Sequence, residues 1–221
     1  MDRRVSAPER LLRAAAVAAS RPQAPIYSPA ARAALVAIVG LGALFSFTLQ
    51  SGLRGNAAAI GPALAIVPAA LCAVAGAGLL ALALREAVPG RAASSAALAA
   101  AFVAGFALLA LFSLWLDRAA GEPGRGFGPL GCYRAGLTIA VPAALLFVWL
   151  LLRAFPMRPV FVGALGALGA GLFADAALHL TCPATNLEHT LFIHGGAVAT
   201  IALAGAVAGG VRSMVRSSRG L

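Results

Sequence analysis

Between His179 and His194 the chain reads H-L-T-C-P-A-T-N-L-E-H-T-L-F-I-H, a stretch that holds all three histidines, one of the three cysteines and Glu188. Imidazole and thiolate are ligands of zinc and copper, and imidazole also changes charge near neutral pH. The spacing H-x2-C-x6-H-x4-H matches no strong metal signature. Two readings therefore stay open: hydrogen-bonded histidines at helix ends, where a half-polar ring is at home, or a metal- or proton-linked site. Asp175 precedes His179 by one helical turn, on the same face. An ionisable side chain in an apolar segment is costly and takes a partner. An Asp175–His179 or Asp175–His194 pair is therefore expected to pin two helices together, with His189 beside this polar cluster. Cys132 and Cys182 are expected in loops on one face, where they could form a disulfide, stay as thiols or ligate a metal. Cys72 falls inside an apolar run and reads as a small buried hydrophobe. The sequence pairs no nucleophile with a base, no two carboxylates across one cleft, and has no phosphate-binding glycine loop. Neither an enzyme nor a cofactor is expected.

The elements that must position these residues follow from composition. Of the 221 residues, 61% are hydrophobic and 11% charged, and the mean hydropathy is +0.92. A soluble domain of this length cannot bury so much apolar surface, so the class is an all-α polytopic membrane protein whose first partner is the lipid bilayer. The formal net charge is +10, and all 17 basic residues are arginine. They cluster beside apolar runs, without the contiguous basic patch and interleaved aromatics of a nucleic-acid binder, so no direct nucleic-acid partner is expected.

Residues 1–30 form a polar, basic leader. Ser6-Ala-Pro-Glu9 fits a capping box, and a short helix is expected over about residues 7–20, ended by Arg21-Pro22. The leader is too long and polar before its first apolar run to read as a signal peptide, and is expected to stay on the protein. Six apolar segments follow, near 31–49, 60–84, 95–116, 135–152, 159–180 and 190–211, each close to the ~20 residues that span a bilayer core. They make up a transmembrane domain over 31–211, expected as a six-helix bundle, and a basic tail over 212–221 closes the chain. The longest break, DRAAGEPGRGFGPLGCYR, reads as a loop because of its Gly and Pro. With the N-terminus inside, 13 arginines fall on the cytoplasmic side and four (54, 118, 125, 134) outside. That bias expects both termini in the cytoplasm and Cys132, Cys182, His179 and His189 on the outer face. Gly163, Gly166 and Gly169, and the pair Gly205 and Gly209, either mark close helix packing or arise by chance in Ala/Gly-rich spans. Pro68 and Pro142 are expected to kink their helices.

Several of these residues carry a family resemblance. R-P-x-x-P-I-Y-S-P-A-A-R-A before the first span, Cys132 opening the fourth, R-P-V after it, and H-L-T-C-P…E-H-T-L-F-I-H-G-G resemble the NrsF-type membrane anti-sigma factors over about residues 21–211. In size and topology the chain is also similar to the anti-sigma factors of light-induced carotenoid operons. The resemblance implies a six-span bacterial inner-membrane protein with cytoplasmic termini. A cytoplasmic segment would capture an ECF-type sigma factor until a signal releases it. Cys132, Cys182, Pro183, His194 and Gly195 would be family-motif residues, and Ile193 stands where members often carry an aromatic. The leader would be the sigma-binding segment, with Leu11, Leu12 and Arg13 as contacts. It carries no His/Cys zinc cluster. Two rival readings are a small transporter or channel, with Asp175, Thr138 and Gln50 on its path, and a metal- or redox-sensing membrane module built on 179–194.

Overall fold

The computed structural model describes residues 28–86, 93–119, 128–154 and 156–218, and the leader helix with Leu11, Leu12 and Arg13 lies outside them. The described residues are helical, with no strand. In chain order they form α1 (Pro29–Ser51), a single turn α2 (Ala57–Ile60), α3 (Pro62–Glu86), α4 (Ser95–Ala119), α5 (Gly128–Arg153), α6 (Pro159–Thr181), a π-helical turn (His189–His194) and α7 (Gly195–Ser218). Six helices, the last running from the π turn into α7, are long and apolar enough to cross a membrane. The chain is thus a multi-pass, all-α membrane protein.

Local chemistry sets the helix ends. Ser28 caps α1, its hydroxyl accepting from the Ala31 amide at 3.1 Å, and Pro29 follows at the first helical position. Gly52 ends that helix at φ +76°, a conformation that favours glycine. One boundary differs from the sequence reading. Residues 128–134, expected as loop, are the opening turns of α5. Pro129 is the reason: its fixed φ suits a first turn, and the amide it lacks would go unpaired there. Cys132 is consequently a helical residue and not a loop residue. Pro68 and Pro142 sit inside single helices that continue through them.

α6 is the centre of the bundle. Over its spanning window 83% of residues are buried, against 22–39% in the other five helices, although it is the least hydropathic of the six. The two facts have one cause. Lipid rewards large apolar side chains, whereas helix–helix contact in a membrane rewards small residues that let backbones approach. The glycines of α6 make those approaches. A Cβ at Gly163 would fall 2.1 Å from the Gly205 carbonyl oxygen of α7, and one at Gly169 would fall 2.7 Å from the Gly76 oxygen of α3. Gly166 instead makes room for the Phe147 ring of α5. Phe147, Phe173, Leu80, Leu165, Leu168 and Leu172 fill the apolar core around these contacts.

Candidate functional site

The polar side chains of the core collect at one end of the bundle. Asp175, on α6, sits between two imidazoles: His179 Nε2 lies 3.2 Å from its Oδ2 and His194 Nδ1 lies 3.4 Å from its Oδ1. The i,i+4 spacing on α6 aligns the first pair. The second crosses to the π turn. The Cys72 thiol of α3 donates to Asp175 Oδ2 at 3.4 Å, so this cysteine serves the carboxylate and is more than an apolar filler. Asp175, His179 and His194 are 2–3% exposed. The two rings are therefore interior groups. The ligand atoms of Cys72, Asp175 and His179 all lie within 4.8 Å of one another.

A second cluster adjoins it. Cys132 Sγ and Cys182 Sγ lie 3.2 Å apart, a contact in which either can donate, and both are buried. His189 Nε2 is 3.5 Å from Cys182 Sγ. The hydrogen bond with Cys132, and after it the one with His189, holds the Cys182 thiol well below the ordinary thiol range against the opposing cost of burial. The ligand atoms of Cys132, Cys182, His189 and His194 all fall within 4.8 Å of one another. The rings of His189 and His194 are 5.3 Å apart at 76°.

The π turn explains this convergence. Residues five apart on an α-helix point about 140° away from each other, at 3.6 residues per turn. A π turn is wider, with i→i+5 bonding, and brings such residues back to one face. His189 and His194 are its first and last residues, so the H-x4-H spacing that fits no α-helical ligand pair becomes a face-sharing pair.

Two charged residues read from sequence only as flanks of spans hold this end together. Arg54 is 3% exposed. Its guanidinium donates to the carbonyls of His179 (3.3 Å) and Pro183 (3.2 Å) and to Asn56 Oδ1 (2.8 Å), and its backbone amide to Leu180 O (2.8 Å). These carbonyls lie at the end of α6, where a helix leaves acceptors without partners and favours a cation. Burial lowers the Arg54 pKa, and the charge on Cys182 partly offsets that. Asn56 donates to Pro183 O at 3.0 Å. Asp117, at the end of α4, accepts from the Leu187 amide at 2.9 Å where the last helix begins. Arg54 was within reach of sequence reasoning through one signal: an isolated charge in a short Gly-flanked break beside a helix end.

The other candidates lie apart. Gln50 and Thr138 are exposed, and the Thr138 hydroxyl donates to the Arg134 carbonyl of its own helix. The structure does not bring them to Asp175, so a polar path through the core is not formed by these three. At the opposite end of the bundle, a cleft of about 550 Å³ opens among Ser95, Leu98, Arg158, Val160 and Phe161, and is almost wholly apolar. It has none of the convergent polar groups of the histidine end.

No curated protein and no solved structure matches the chain, so the narrower likeness to carotenoid-operon anti-sigma factors has no match behind it. The model of one family does match, over residues 4–212: NrsF, negative regulator of sigma F. That span takes in most of the basic leader, the first five long helices, most of the sixth and the clustered Cys/His end, and the chain belongs to the NrsF family.

Proposed function

We propose that this protein is an inner-membrane anti-sigma factor that holds an ECF-type sigma factor at the cytoplasmic face and keeps it from RNA polymerase until a stimulus arrives. The observation that carries the reading is the family match over residues 4–212, which makes a regulator of a sigma factor the parent class. The arginine asymmetry supports both termini inside, since basic residues stay on the cytoplasmic side of spans. With six crossings, the 52–56, 119–128 and 182–188 connections share one end, and Arg54, Asp117 and Cys132 each contact the last of them. In this orientation the Cys/His end faces the periplasm, in the compartment where a disulfide between Cys132 and Cys182 would also be stable. That end is a bilayer away from any sigma factor, so it can sense but not inhibit. The leader, with Leu11, Leu12 and Arg13, is the inhibitory arm: a short amphipathic segment of this kind docks in an apolar groove of its partner.

The test is co-purification. Full-length protein in membranes, and residues 1–32 fused to a soluble carrier, are each mixed with the ECF sigma factor encoded nearby. Retention by the full-length protein, lost in Leu11→Glu/Leu12→Glu, is the expected result. If neither preparation retains the sigma factor, the reading fails.

A further inference from the structure

The geometry points to a structural Zn2+ site formed by Cys132, Cys182, His189 and His194, with Asp175 behind it as the residue that orients His194. Neither membership of the family nor the capture of a sigma factor requires such a site. It stands on the positions of these five side chains.

Four observations converge. First, the donor set is two sulfurs and two imidazoles, the Cys2His2 combination that closed tetrahedral zinc sites use. Second, the distances fit. With Zn–S near 2.3 Å and Zn–N near 2.0–2.1 Å, a tetrahedron sets sulfur to nitrogen at about 3.5 Å and sulfur to sulfur at about 3.8 Å. Cys182 Sγ to His189 Nε2 is 3.5 Å already, and the two sulfurs, at 3.2 Å, need open by only about half an ångström. The whole set lies within 4.8 Å, a span that χ rotations of buried but adjacent side chains can close.

Third, His194 is 2% exposed and neither ring nitrogen has a hydrogen-bond partner. Nδ1 is turned towards Asp175 Oδ1, at ion-pair distance but off a hydrogen-bonding line, and Nε2 makes no hydrogen bond. A buried imidazole nitrogen without a partner is costly. Ligation satisfies it, and metal-bound histidines characteristically give their other nitrogen to a carboxylate, as Asp175 stands ready to do. Fourth, charge balances. Two thiolates and two neutral imidazoles make a neutral centre around Zn2+, the form that an apolar surrounding tolerates. The π turn supports the same assignment, because it is the local distortion that puts His189 and His194 on one face.

The experiment uses the full-length protein, purified from membranes under reducing conditions and analysed by elemental mass spectrometry. One equivalent of zinc per chain is expected. After chelator stripping and reloading with Co2+, the ligand-field bands of a tetrahedral ion and a sulfur-to-cobalt charge-transfer band should appear. Cys132→Ser/Cys182→Ser should abolish both. Asp175→Asn should keep one equivalent but weaken zinc affinity about 10–100-fold, the effect of losing a second-shell partner. His189→Gln, altered at the rim of the site where the ring is 9% exposed, should keep the fold by size-exclusion profile and give a changed cobalt spectrum. Exposed Glu188→Gln should leave content and spectrum unchanged. The inference is overturned if reduced wild-type protein neither holds nor takes up an equivalent of zinc, or if the double cysteine variant keeps it. Stoichiometric copper in place of zinc, or a Cys132–Cys182 disulfide in protein prepared without oxidant, would also overturn it.

Discussion

The substitution Gly163→Ala tests whether α6 is locked to its neighbour by backbone contact. The added methyl would fall 2.1 Å from Gly205 O and 2.9 Å from Gly205 C. Both are main-chain atoms of α7, so no rotamer change can relieve the clash, and the helices must part by roughly 1 Å. The partner glycines feel the same constraint: a Cβ at Gly205 would meet Gly163 O at 2.3 Å, and one at Gly209 would meet Pro159 O at 2.0 Å. Parting the helices loosens the whole row, so a cost at the upper end of overpacking, about 2–3 kcal/mol, is expected. Gly42 provides the control, because nothing lies within 4 Å of a Cβ there. Gly42→Ala should be neutral or slightly stabilising, by up to about 1 kcal/mol from helix propensity. Unfolding of each variant by steric trapping in bicelles, or thermal melting in a single detergent, reads the difference directly. Equal stability of Gly163→Ala and Gly42→Ala would refute the close-contact account of α6 and α7.

Three further outcomes follow from the site end. Arg54→Gln removes two guanidinium bonds to the carbonyls of His179 and Pro183 and should cost about 2–3 kcal/mol, seen as a lower melting temperature that Arg54→Lys restores only in part. Asp117→Ala deletes the acceptor of the Leu187 amide and should cost about 1 kcal/mol, with faster hydrogen exchange at 186–190 as the specific signature. Tyr133→Phe removes the 2.8 Å contact between the phenol and the Thr200 hydroxyl that joins α5 to α7. Its cost should be near 0.6 kcal/mol, the mean for an interhelical hydrogen bond in a membrane, and a double-mutant cycle with Thr200→Val isolates it.

The helices were legible in the sequence because apolar run length is a direct physical requirement of the bilayer, and six runs became six long helices. The Asp175–His179 juxtaposition was legible for a similar reason, since i,i+4 spacing on a helix leaves it little choice. Three features were not. The start of α5 at Gly128 was hidden because Gly-Pro composition reads as a loop even where Pro129 opens a helix. The approach of His189 to His194 depends on a π turn, for which the sequence carries no periodic mark. The burial of Arg54 depends on where a loop folds over a helix from more than a hundred residues away: its isolated charge in a Gly-flanked break marks the residue, but not the carbonyls it meets. The depth of α6 in the bundle was half visible: its glycines marked contact, but only the structure distinguishes Gly163, which meets a backbone, from Gly166, which meets an aromatic ring.

That distinction bears on how one end of the molecule can act on the other. On the reading proposed above, the Cys/His end receives the stimulus and the opposite end controls the sigma factor, with the 23 residues of α6 between them, about 34 Å of helix. A chain of flexible side chains would absorb a sub-ångström shift over that length. α6 also has contacts without side chains between: it meets α3 at Gly76 and Gly169, and α7 at Gly163, Gly205 and Gly209, backbone against backbone. Packed interfaces of this kind are not continuously deformable, so on that reading a displacement at Cys182 would move α6 as a rigid rod. Gly163 lies 19 residues from Cys182, and touches none of the cluster. If the rod is the route, Gly163→Ala should blunt the transcriptional response to the stimulus while full-length protein still retains the sigma factor. A normal response in cells that carry the destabilised variant would mean that the two ends are coupled by some other element.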